Sequence, residues 1–199
     1  NQFQINEILQ VNSSRYLLNK ENQTMTVIEK YVYDMASFHV ERLHKTIDNV
    51  FIEFWVKKHY TGGNQLHHDC DEYDKKLNVP KFISTPFMSC VTYLNDNIIP
   101  TLVTNKLGFA HTDNSKLDFV LSFPSILKHI SFEGGKYLHG SYNLFSSANF
   151  PIERNLLVIN LWDTKPLNMT YFKSNPCSPQ VFDITTKLIS FNEIKESDT

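Results

Sequence analysis

The chain has 199 residues, of which 41% are hydrophobic, and 19 basic against 21 acidic side chains leave a formal net charge of -2. It is long enough to bury a core as one domain and has no charge excess to draw it to nucleic acid or an anionic membrane. No apolar run nears the roughly 20 residues that span a bilayer, and the odd, scattered cysteines Cys70, Cys90 and Cys177 point to a reducing, cytoplasmic setting and not to a disulfide framework.

Residues 1–23 are polar and show no clear period, and residues 192–199 form a charged tail, so both ends are expected to be accessory. Residues 1–20 lack the charged-then-apolar order of a signal peptide, although the missing initiator Met leaves a removed leader open. From Thr24 to His44 the apolar residues Val27, Ile28, Tyr31, Met35, Phe38 and Leu43 recur every three or four positions without Pro or Gly, which predicts one long helix within 24–47. Its His39 and His44 lie five apart on different faces, with Glu41 between them, and read as ordinary surface or packing residues.

The period then shortens to β-branched and aromatic runs punctuated by Pro, Gly and Asn. These runs are Val50–Val56, Met88–Leu94, Thr101–Thr104, Phe119–Phe123, His129–Phe132, Tyr137–Gly140 and Leu156–Trp162. Short strands at this spacing predict a mainly β fold. The expected architecture is a double-stranded β-helix of the jelly-roll type over 50–170, with the N-terminal helix as support and 171–199 as an extension. Trp55, Phe54 and Trp162 are expected to pack.

Chemistry concentrates in His67-His68-Asp69-Cys70-Asp71-Glu72. In an extended segment residues i and i+2 point to one side, so His67 and Asp69 can face one cavity while His68 faces away. His139, after a short β run and before Gly140, is the candidate third ligand. Two imidazoles and a carboxylate are a facial triad that holds Fe(II) with positions open for substrate and O2. HxD also arises by chance, a strand histidine is more often packed than ligating, and zinc competes for such a donor set. Asp71 is either a partner that orients a ligating histidine or, with Glu72, a solvated loop acid. Cys70 is expected to point away.

HxDxDE, the strand VTYLND, PTLVT, LSFP, a Gly-rich turn into LHG and R-x-L-L-V-I-N-L-W follow one another between about Glu53 and Met169. In this order they resemble the Fe(II)/2-oxoglutarate-dependent oxygenases, in a wider prolyl-hydroxylase-like fold. The resemblance implies Fe(II) held by His67, Asp69 and His139, and 2-oxoglutarate anchored by Arg154, whose planar fork suits a carboxylate. Many relatives carry Ser or Thr two residues after that Arg, where this chain has Leu156. Tyr93 is the candidate second anchor, with Tyr60 and Thr101 behind it. The activity implied is hydroxylation, or demethylation, of a protein or peptide side chain or a small metabolite, with succinate and CO2 as co-products. Loops Asp74–Pro80, Asn95–Pro100, Asn105–Lys116 and Ser141–Pro151 would set specificity. The different-class alternative is a non-catalytic jelly-roll module that binds a metal or ligand, and a metal-dependent hydrolase or zinc-bound cupin-like protein ranks third.

Overall fold

The computed structural model describes residues 2–59, 64–73, 83–107, 118–141 and 152–173. Within them the chain is mainly β. Helices α1 (Gln2–Leu9) and α2 (Val27–Arg42) accompany strands β1 (Tyr16–Leu17), β2 (Phe51–His59), β3 (Met88–Tyr93), β4 (Thr101–Leu107), β5 (Phe119–Ser122), β6 (His129–Phe132), β7 (Tyr137–Ser141) and β8 (Arg154–Trp162). The strands form two antiparallel sheets, one ordered β1-β2-β8-β3-β6 and the other β5-β4-β7.

The long helix falls where the periodicity puts it. Its start is a capping box: Thr26 Oγ1 accepts from the Glu29 amide while Glu29 Oε2 accepts from the Thr26 amide at 2.9 Å. Ile28, Val32, Met35, Ala36, His39 and Val40 form its buried face. They pack on Ile52, Phe54 and Val56 of β2, Cys90 of β3 and Leu157, Ile159 and Leu161 of β8. Because strand side chains alternate, the neighbouring residues Trp55, Val91, Tyr93, Leu156 and Val158 turn to the other face and form a second apolar cluster with Ile130 and Phe132. Strand β8 lies between β2 and β3 and is buried along its whole length, so it carries no polar-apolar alternation.

The first 23 residues are not accessory, and this corrects the sequence reading. Helix α1 buries Ile5 and Ile8 against α2, and Leu17 and Leu18 are buried beside the edge of β2. Lys20 fixes the approach to β2 by donating to the carbonyls of Ile47, Asp48 and Val50 at 2.8, 2.8 and 3.0 Å.

Candidate metal centre and cleft

His67 and His139 are joined by backbone before their side chains meet. The amide of each donates to the other's carbonyl at 2.9 Å, an isolated antiparallel bridge that lays the HxD segment along β7. Gly140 makes this approach possible, since a Cβ there would lie 2.8 Å from the Asn64 carbonyl oxygen and 3.0 Å from that of Gln65. Asp69 continues the segment, its amide donating to the Gly134 carbonyl at 3.0 Å.

The side chains converge from there. Each imidazole ties up Nδ1 on a carbonyl, His67 to Gln65 at 2.7 Å and His139 to Tyr137 at 3.0 Å. A carbonyl only accepts, so each Nδ1 carries a proton and each Nε2 is the ring atom left to meet a metal. Both Nε2 atoms face Asp69, His67 at 3.6 Å from Oδ1 and His139 at 3.5 Å from Oδ2. All three ligand atoms lie within 4.8 Å of one another. Ser89, on β3, donates to Asp69 Oδ2 at 2.6 Å. Burial alone would raise the Asp69 carboxyl, but hydrogen bonding and charge from His139 and His67, with the Ser89 hydroxyl, outweigh it and hold the group far below the usual carboxylate range. The His67 imidazole is pushed up, chiefly by its interaction with Asp69.

These groups and Arg154 line one cleft. Arg154 is 3% exposed and forms no ion pair among the described residues. Its Nε donates to the Ile99 carbonyl at 3.1 Å and one terminal nitrogen to Thr101 Oγ1 at 2.8 Å. The Tyr93 hydroxyl sits 2.8 Å from Thr101 Oγ1 and 2.9 Å from the Ser122 carbonyl, and the guanidinium lies over the Tyr93 ring at 5.8 Å. The buried hydroxyl of Ser122, paired across from Thr101, has no hydrogen-bond partner among the described residues.

The structure thus gathers His67, Asp69 and His139 at one point and Arg154, Tyr93 and Thr101 at another, while Tyr60 lies outside the described residues. The loops 74–80, most of 105–116 and 142–151 also lie outside them. Asp71 takes neither expected role: it is 5% exposed and accepts from the amides of Tyr73 and Leu167, tying the HxD loop to the segment after β8. Phe54, Trp162 and Trp55 pack as expected, and Trp55 also lines the cleft. Ser89, Gly134 and Lys57 are site residues that motif reasoning missed. Strand parity could have found Lys57, since it shares a face with Trp55 on β2. Desolvation, aided by the nearby Arg154 charge, pushes its ammonium down to about 8.

No protein-family model matches the sequence, and no curated protein matches it significantly. Among solved structures, the chain is similar to a prolyl-4-hydroxylase from Pseudomonas putida, at 11% identity and a TM-score of 0.50, over 83% of this chain and 89% of that one. It is also similar to an oxidoreductase of the 2OG-Fe(II) oxygenase family from Burkholderia pseudomallei, at 12% identity and a TM-score of 0.43, over 78% and 68% of the two chains. HygX from Streptomyces hygroscopicus with iron bound gives 9% identity and a TM-score of 0.43 over 88% and 83%. At 11% identity the first likeness is one of fold: the two-sheet chain described above shares its fold with a prolyl-4-hydroxylase.

Proposed function

We propose that the protein is an Fe(II)- and 2-oxoglutarate-dependent dioxygenase, with its two sheets forming a double-stranded β-helix. The observation that carries this reading is the pair of unsatisfied centres facing one cleft. Two imidazole Nε2 atoms and an ionised carboxylate converge in it, and a buried guanidinium without a carboxylate among the described residues lines the same cleft. The donor set fits ferrous iron. Two neutral nitrogens and one anionic oxygen leave coordination positions open, whereas closed structural zinc sites take four protein ligands. The buried positive charge of Arg154, with the orphaned Ser122 hydroxyl nearby, fits a dicarboxylate.

Bound there, Fe(II) with 2-oxoglutarate and O2 supplies oxidative decarboxylation of the keto acid to succinate and CO2, coupled to oxygenation of a substrate C–H bond. The chain's own residues prepare for this. His67, Asp69 and His139 hold the metal, and the Gln65 and Tyr137 carbonyls fix both imidazole tautomers. Ser89 holds the Asp69 carboxylate in place and Arg154 orients the co-substrate, steadied by Thr101 and by Tyr93 beneath it. Trp55, Val91, Leu156 and Phe132 give the cleft apolar walls that limit water. The substrate class we propose is a protein or peptide side chain or a small metabolite, with hydroxylation or demethylation as the outcome.

The test is succinate formation from 2-oxoglutarate by anaerobically purified protein supplied with Fe(II) and then air, with and without cell extract as a substrate source. Iron-dependent succinate that rises with extract is expected. A protein that binds the metal yet makes no succinate under either condition is a non-catalytic binding module, and the reading is then abandoned.

A further inference from the structure

Strand β3 has two chemical faces. Ser89, Val91 and Tyr93 serve the cleft side, while Cys90 and Thr92 point the other way, toward α2. On that side His39 from α2 and His129 from β6 meet Cys90, with residue exposures of 6%, 7% and 1%. The two Nε2 atoms are 2.9 Å apart, and the Cys90 sulfur lies within 4.8 Å of the imidazole nitrogens. His129 Nδ1 is 2.7 Å from Thr92 Oγ1, which is 3.2 Å from the Tyr31 hydroxyl. No hydrogen bond among the described residues holds the thiol, and Cys90 is a free cysteine.

This arrangement has what a ligand shell needs. With Nδ1–H donating to Thr92 and the Thr92 hydroxyl passing to Tyr31, the His129 ring is fixed with its Nε2 lone pair facing His39 and Cys90, as an outer hydrogen bond fixes a ligating imidazole. The 2.9 Å contact between the two Nε2 atoms requires one of them to accept, so at least one imidazole presents a lone pair to the site. A thiolate selects soft cations.

We propose that His39, Cys90 and His129 form a second metal site, separate from the cleft, that takes a univalent soft cation of the copper(I) class. Three arguments choose this class over zinc. The shell offers three ligand atoms, which suffices for a three-coordinate soft cation but falls short of the four that structural zinc takes. A univalent cation with one thiolate is neutral overall, whereas a divalent one would leave a positive charge in an apolar layer where the nearest charged influence on His39 is the cation Arg42. Sulfur and nitrogen together are the softest donor set among the described residues. Binding releases one proton, from the thiol, while the N–H shared between the imidazoles moves to the outer nitrogen of His39. The site lies against β6, the edge strand of its sheet.

The experiment is anaerobic Cu(I) titration of the metal-stripped full chain against a chromophoric chelator, in a Cys70→Ala, Cys177→Ala background that leaves Cys90 as the single thiol. One equivalent is expected to bind with release of one proton. X-ray absorption of the loaded protein should show one sulfur and two nitrogens, a readout that needs no change at the site. Cys90→Ala should weaken Cu(I) about 100-fold or more, with circular dichroism confirming the fold, whereas His139→Ala should leave it unchanged. No copper uptake would mean that the imidazoles are only a hydrogen-bonded pair, and the proposal falls. Tighter binding of Zn(II) than of Cu(I) overturns the charge argument, and equal loss in His139→Ala moves the copper to the cleft and also overturns it.

Discussion

Ser89 donates a short hydrogen bond to Oδ2 of Asp69, and without it that oxygen would be held only by the longer contact with His139. Ser89→Ala should therefore weaken Fe(II) binding by about 10- to 100-fold, the usual cost of removing a partner that orients a metal ligand. The variant should regain turnover at high Fe(II); activity at limiting Fe(II) indistinguishable from the parent would remove Ser89 from the site. Arg154→Lys keeps the charge but loses the planar fork and the contacts to Ile99 and Thr101. It should raise the KM for 2-oxoglutarate by about tenfold or more, one lost charge-assisted hydrogen bond, with Fe(II) affinity unchanged. An unaltered KM rejects the anchor. The convergence of His67 and Asp69 was legible in the sequence because the HxD spacing is itself a geometric statement, two residues on one side of an extended chain. Ser89 was not, since nothing local to MSCVTY says that its serine will meet a carboxylate twenty positions away. The structure's His39 and Cys90 escaped for the same reason: a ligand set drawn from a helix and two strands has no spacing to read.

At the scale of elements, the strands were legible wherever apolar alternation or β-branched runs persisted, and His129–Phe132 ends where the sequence puts it. Strand β8 begins two residues earlier than its apolar run because Arg154 and Asn155 are polar yet buried, paired with His59 and Lys58 of β2. Helix α1 was missed because Ile5 and Ile8, buried among its described side chains, are too few to establish a period in a polar segment. The capping box of α2 gives one prediction here: Thr26→Ala should cost about 1 kcal/mol of stability, read as a lower denaturant midpoint at unchanged slope. The bridge between the HxD segment and β7 gives another. Gly140→Ala places a Cβ against the Asn64 and Gln65 carbonyls, which are backbone and cannot rotate away, so the segment must lift and carry His67 with it. Fe(II) binding should be lost while the far-UV spectrum stays close to the parent. Retained iron affinity would show that the two segments can separate without moving the ligands.

Over the whole molecule, buried titratable groups decide how stability responds to acid. His39 and His129 are driven down by burial, to about 4 and about 3, so the native state refuses protons that the unfolded chain accepts near 6.5. Their contribution is complete above 6.5 and is lost as the pH falls toward those values. His68, lowered by burial and by the neighbouring imidazoles, acts in the same sense. Glu53 opposes them. Buried beneath Arg15 and accepting from Trp162 and Asn160, it is raised by desolvation to about 6, so its folded form holds a proton that the unfolded one has released, and it favours the native state at lower pH. Between pH 4.5 and about 6 two or more histidine protons stand against one glutamate proton, while His67, raised by Asp69, is protonated in both states there and opposes them only nearer 6.5. The unfolded chain thus binds about one proton more, and stability should rise by roughly 1.4 kcal/mol per pH unit. Asp69 adds to acid loss only below this window, because its carboxyl is depressed and the unfolded value is already near 4. The metal-stripped protein should therefore show a melting temperature that climbs from pH 5 to about 6, and His39→Gln should flatten the climb. A melting temperature that falls across this interval would mean that the glutamate, and not the imidazole pair, governs the acid response.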